Sequence, residues 1–152
     1  MHVYAKADGL AWIRKVLGDP DTVLVGHNVA YDLCVLLAAD FSLGPLLFGA
    51  VAEGRVHDTM LREQMLANAK GQRHRLPDVP LLHGKMGPFT LAACVHRHLG
   101  HDHSVAKIEG SWRLRYRELD GIPVEQWPSE ASSYALDDAR DVRQLYVSQE
   151  EA

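Results

Sequence analysis

One stretch constrains the fold more than any other: Thr22-Val23-Leu24-Val25-Gly26-His27-Asn28-Val29-Ala30-Tyr31-Asp32-Leu33-Cys34-Val35-Leu36-Leu37. Its first four residues are β-branched or apolar and lie between Asp19-Pro20-Asp21 and Gly26, which predicts a short buried strand with a turn at each end. A helix follows at once. Asn28 suits its N-cap, and from Val29 to Ala39 every residue except Tyr31 and Asp32 is apolar or cysteine, so this helix is expected to be buried nearly all round. An ionised carboxylate in dry surroundings is costly unless paired. Asp32 therefore either complements the helix dipole or has a partner elsewhere.

The far end of the chain carries a second such carboxylate. Pro128 to Tyr146 reads as a helix with Ser129 at its N-cap and a core stripe of Ala131, Tyr134, Ala135, position 138, Val142, Leu145 and Tyr146. Position 138 is an aspartate, one turn from Tyr134 on the same face, while Asp137 and Asp141 are expected to be solvated. Two core-facing carboxylates with a phenol beside one of them suit a two-metal phosphodiester-cleaving site. There, hard oxygen ligands hold two divalent cations, Mg²⁺ or Mn²⁺, about 3.5–4 Å apart.

The stretch Gly26-His27-Asn28-Val29-Ala30-Tyr31-Asp32 with Leu36 resembles the second motif of the DEDD 3′–5′ exonucleases, and Tyr134-Ala135-Leu136-Asp137-Asp138-Ala139 resembles their third motif in its tyrosine form. The likeness runs from about Gly9 to Tyr146. It is nearest to the proofreading exonuclease domain of family A DNA polymerases, especially phage-type ones, through the Trp127 to Ala131 run and Val56-His57-Asp58-Thr59-Met60-Leu61. The resemblance implies a ribonuclease-H-like α/β fold with a helix-rich C-terminal half, incomplete at the N-terminus. It implies that Asp32 and Asp138 are ligands of two divalent cations, Mg²⁺ or Mn²⁺. It also implies that Tyr134 orients the attacking water and that Asn28 and Tyr31 meet the 3′-terminal nucleotide. The implied partners are a single-stranded DNA 3′ end and a polymerase domain in the same parent protein.

The family also has an Asp-x-Glu pair on an earlier strand, and no Asp in this chain is followed two residues later by Glu. The chain is accordingly expected to be one partial exonuclease domain that begins after the first motif, and to be inactive alone. The rival expectations are a non-catalytic, exonuclease-like module that scaffolds a polymerase or holds single-stranded DNA, and an RNA-trimming exoribonuclease.

Composition adds limits. With 152 residues, 47% of them hydrophobic and 24% charged, one ordinary soluble domain is affordable. A net charge of −4 means that any nucleic-acid contact must come from local basic patches. Cys34 and Cys94 sit in apolar helical runs and are expected to be free and buried, without a disulfide framework. Asp8, Arg14 and Lys15 interrupt any signal peptide and no apolar run reaches membrane-spanning length, so a cytoplasmic protein without membrane contact is expected.

Elsewhere, a helix should open near Asp8 and end at Gly18-Asp19-Pro20, with Leu10, Ile13, Val16 and Leu17 inward. Phe41 to Gly54, containing Gly44-Pro45, reads as a loop with a short helical turn or as an extension of the preceding helix. Gly54 to His57 reads as a second strand. Asp58 is either a metal ligand or the N-cap of a helix from Thr59 to Ala69, and its place directly before the first turn favours the cap. Asn68 to Pro88, with Lys70, Arg73, His74, Arg75, His83 and Lys85, reads as a loop. Thr90 should cap Leu91 to Leu99 and Gly100 should stop it. His96, His98, His101 and His103 lack zinc-ligand spacing and read as a surface cluster. Lys107 to Leu119 reads as a helix whose Trp112, Tyr116 and Leu119 form a core stripe, leaving Arg113, Arg115 and Arg117 for a nucleic-acid strand.

Overall fold

The structure, a computed structural model, describes residues 3–72, 76, 79–81, 84–100, 112 and 115–152. It is α/β and rich in helix, and the chain forms two compact units, Met1–Asp58 and Thr59–Ala152. No helix among the described residues is long and apolar enough to cross a membrane.

The first unit contains α1 (Lys6–Gly18), β1 (Leu24–Gly26), α2 (Val29–Ala39), a 3-10 turn (Phe41–Leu43), α3 (Gly44–Ala52) and β2 (Val56–Asp58). The two strands run parallel, with Leu24 opposite Val56, Val25 opposite His57 and Gly26 opposite Asp58. Their core is Leu17, Leu43, Leu47 and Ala50, against which Leu10, Ile13, Leu24, Leu33, Leu36, Leu37, Leu46 and Val56 pack. The Arg55 guanidinium donates to the carbonyls of Leu17, Asp19 and Thr22, tying the start of β2 to the turn between α1 and β1.

Three expectations change here. The first strand is Leu24–Gly26, so it starts two residues later than expected and takes in the glycine. Phe41 to Gly54 is no loop: Asp40 accepts hydrogen bonds from the Ser42 backbone N–H and hydroxyl, the 3-10 turn follows, and α3 then begins at Gly44. Pro45 falls in the first turn of α3, where its missing N–H has no helical partner to lose, so a dipeptide that reads as a turn instead opens a helix. Third, α2 is present but buried on one side only. Leu33, Leu36 and Leu37 face the core, whereas Tyr31, Cys34 and Val35 are exposed, because one strand pair and two helices cover one face of a cylinder. The expected burial of Cys34 fails with it.

The second unit contains α4 (Thr59–Ala69), an antiparallel pair β3 (Val79–Leu81) and β4 (Gly84–Met86), α5 (Leu91–Leu99), 3-10 turns at Tyr116–Leu119 and Val124–Gln126, and α6 (Ser129–Glu150). Helix α6 packs on α4 and α5 around Ala67, Ala92, Ala93, Cys94, Val95, Leu119, Ala131 and Leu145. Burial pushes the Cys94 thiol up to about 12, aided by the nearby Glu63 carboxylate, which leaves an inert hydrophobic sulfur. Thr90 caps α5 as expected, its hydroxyl accepting from the Ala93 N–H at 3.3 Å, and Gly100 ends it in the left-handed region at φ 73°.

Part of the expected loop between Asn68 and Pro88 is thus a hairpin. Arg73, His74, Arg75 and His83 lie outside the described residues, as do His101, His103, Lys107 and Arg113. Of the helix expected over Lys107 to Leu119, the described part is the 3-10 turn Tyr116–Leu119 together with Trp112 and Arg115. At α6, Ser129 is the first helical residue and Pro128 occupies the cap position, so the expected serine N-cap moves one place into the helix.

Candidate functional site

In the first unit the expected site residues sit where β1 turns into α2. Gly26 ends the strand in a turn so tight that a Cβ there would lie 2.8 Å from Cγ2 of Val29. Asn28 occupies the N-cap position in the left-handed region, φ 62° and ψ 48°, and its side chain makes no capping bond. Its amide side chain suits it to that backbone rather than to the cap. The cap comes from Asp58 across the sheet. Its Oδ1 accepts the Asn28 N–H and its Oδ2 the Val29 N–H, both at 3.0 Å. Pairing of Gly26 with Asp58 delivers that carboxylate over the turn, where the first N–H groups of a helix lack intrahelical partners. Asp58 therefore reaches across the sheet to cap α2.

Asp32 follows one turn later. Burial of its carboxyl raises its pKa above the ordinary value, and repulsion from Asp58 adds to this, although much of the side chain faces solvent. Tyr31 beside it is 68% exposed. His57 turns its Nε2 back to the Gly54 carbonyl at 3.1 Å.

In the second unit Tyr134 and Asp138 are both half-buried, one turn apart on α6. Asp137 is exposed and pairs with Arg140, as expected of a solvated carboxylate. Asp141 is not: it is 6% exposed, so the buried stripe takes in both 138 and 141. The ring of Tyr134 meets that of Tyr116 at 6.2 Å and 58°. Burial raises the pKa of the Tyr116 phenol and the Asp138 charge raises it further, with a backbone contact at Ala135 opposing both, so this second phenol also lies near Asp138.

The same unit holds a buried polar network that the sequence reading missed. Glu63, 5% exposed, accepts from Arg97 Nε and Nη2 at 3.2 and 3.0 Å, from His98 Nε2 at 2.7 Å and from Gln149 Nε2 at 3.0 Å. Gln149 also donates to the Thr59 carbonyl, and Ser148 meets His98 Nδ1 at 3.2 Å. Burial alone would raise the Glu63 pKa. The hydrogen bonds from His98, Gln149 and Arg97, with the His98 charge beside it, instead hold it down at about 2. His98 is thus a strut between three helices and no part of a surface cluster. The missed signal is the stripe Thr59, Glu63, Ala67, spaced by four and fully buried, whereas Leu61 and Met65 point outward.

Among the described residues, no three His, Cys, Asp or Glu side chains gather as a metal-holding group. Asp32 and Asp138 belong to different units and supply one carboxylate each. Divalent Mg²⁺ or Mn²⁺ takes roughly six oxygen ligands, so this donor set does not by itself fit a pair of resident cations. A groove of about 560 Å³ is lined by Leu99 at the end of α5, by Arg140, Arg143, Gln144, Val147 and Ser148 of α6, and by Glu151. Comparison with protein-family models, curated proteins and solved structures finds no match for this chain.

Proposed function

We propose that the chain is part of a tyrosine-type DEDD 3′–5′ exonuclease that removes nucleotides from DNA 3′ ends in a proofreading setting, on a ribonuclease-H-like framework. One observation carries the reading: Tyr134 and Asp138 stand half-buried, one turn apart on one face of α6, where packing alone would favour apolar side chains. Asp32 and the exposed Tyr31 lie together in the first turn of α2, as the resemblance of that stretch requires.

Each residue has a chemical task in this reading. The Tyr134 hydroxyl hydrogen-bonds the water that attacks the terminal phosphodiester. Asp32 and Asp138 carry the negative charge that divalent cations would neutralise, and Tyr31 and Asn28 touch the terminal nucleotide. Two carboxylates are too few for two such cations, so the reading requires further ligands of the Asp-x-Glu kind. A non-catalytic module that holds single-stranded DNA is the second reading. It is favoured by the missing Asp-x-Glu.

The test uses 3′-labelled single-stranded DNA with Mn²⁺, comparing this chain, Asp138→Ala, and the chain extended by a strand bearing Asp-x-Glu. The expected result is binding without robust cleavage by the chain and cleavage by the extended form, lost in its Asp138→Ala variant. Binding with no cleavage in either form would select the module. A strand neither bound nor cut by any of them would end both readings.

A further inference from the structure

Tyr116 stands outside every motif of the chain, yet its contacts converge on the turn of α6 that carries the proposed reaction. Its hydroxyl donates to the Ala131 carbonyl at 2.8 Å, three residues before Tyr134. Its ring is flanked by Tyr134 at 6.2 Å and 58° and by Trp127 at 6.1 Å and 50°. Trp127 is itself tethered, its indole N–H donating to the Ile122 carbonyl at 2.9 Å. Tilted rings at these distances attract through their quadrupoles, and each fixes the other's rotamer. The carbonyl that Tyr116 grips lies in the first turn of α6, where fraying is strongest.

We propose that Tyr116 is a positioning residue for Tyr134: its hydroxyl clamps the first turn of α6 and its ring sets the Tyr134 side chain on the Asp138 side of the helix. The proposal rests on the exonuclease reading for its purpose, though not for its geometry. Tyr116 touches no reacting atom. It acts by removing rotamer freedom from the phenol that must hold water, and preorganisation of that kind lowers the cost of reaching the reactive arrangement.

The experiment labels the full chain with 3-fluorotyrosine and assigns the Tyr134 fluorine signal by its loss in Tyr134→Phe. Tyr116→Phe removes the hydroxyl alone, and Tyr116→Leu removes the ring as well. Without metal, the Tyr134 signal should shift in both variants and further in Tyr116→Leu, approaching that of free fluorotyrosine, while the Tyr4 signal stays in place. Mn²⁺ should broaden the wild-type Tyr134 signal selectively. Tyr116→Leu should raise the Mn²⁺ concentration needed by about two- to tenfold, the equilibrium weight of one aromatic contact. A role in packing alone would lower the unfolding midpoint and leave that concentration unchanged, which would overturn the proposal. An unmoved Tyr134 signal in Tyr116→Leu would overturn it too, and should that variant not fold, an unmoved signal in Tyr116→Phe does the same. If Mn²⁺ broadens no tyrosine selectively in the wild type, the chain lacks the further ligands that the exonuclease reading requires, and the metal-free shifts alone decide whether Tyr116 positions Tyr134.

Discussion

Neither Asp58 nor Asn28 is confined to the local cap that its neighbours in sequence suggest. An aspartate before a helix and an asparagine before another each look like local caps, but Asp58 reaches across the sheet to the start of α2 and Asn28 supplies a left-handed backbone. Asp58→Ala should therefore cost about 1–3 kcal/mol, since it leaves two backbone N–H groups without their acceptor. Asn28→Gly should be close to neutral because glycine adopts positive φ without penalty. Urea unfolding of the two variants checks this, and the reverse order would return the cap to the Asn28 side chain. Glu63 gives the second prediction at this scale. Its folded pKa of about 2 lies below the ordinary value of 4.5, so its stabilising contribution is complete above 4.5 and is lost as pH falls toward 2. Thermal unfolding from pH 6 to about 2 should show that loss, and Glu63→Gln should flatten it while costing about 3 kcal/mol at neutral pH by leaving Arg97 without its buried partner.

Helix α2 is the element whose surroundings matter most. Its inner residues Leu33, Leu36 and Leu37 join the core, while Tyr31 and Val35 on α2, and Phe48 and Val51 on α3, are exposed. Exposed apolar side chains of this size favour association. Val35→Lys with Phe48→Lys should change stability by less than about 1 kcal/mol and lower the sedimentation-derived self-association of the chain. Leu47→Ala, by contrast, should cost about 2–5 kcal/mol, because Leu47 is 2% exposed at the centre of the first core. Equal losses from the two kinds of change would mean that the exposed residues are packed in solution.

Across the whole chain the charge is −4, so attraction to a nucleic-acid strand depends on local cations such as Arg143 and Arg140 on α6. Affinity for single-stranded DNA should be weak and should fall steeply between about 50 and 200 mM salt, as each counterion released by a phosphate contact gains less entropy in more concentrated salt. Fluorescence anisotropy over that range checks it, and salt-independent binding would transfer the affinity to stacking. Periodicity and punctuation alone determined much of the molecule: the strand and helix around Gly26, a helix from Thr59 to about Ala69, the Thr90 to Gly100 helix, the long α6 and the placing of Tyr134 beside Asp138 on one face. These are local properties, set by spacing, caps and breakers within a few residues. Tertiary structure decided the rest. Whether Pro45 ends or opens a helix, that Asp58 reaches the start of α2, that Glu63 and Asp141 are inside and that Cys34 and Met65 are outside all depend on which elements meet. Sequence patterns carry a residue's preference for water, but burial of a charge depends on partners up to 86 positions away, as the Gln149 to Glu63 hydrogen bond illustrates, and only the folded chain brings those partners together.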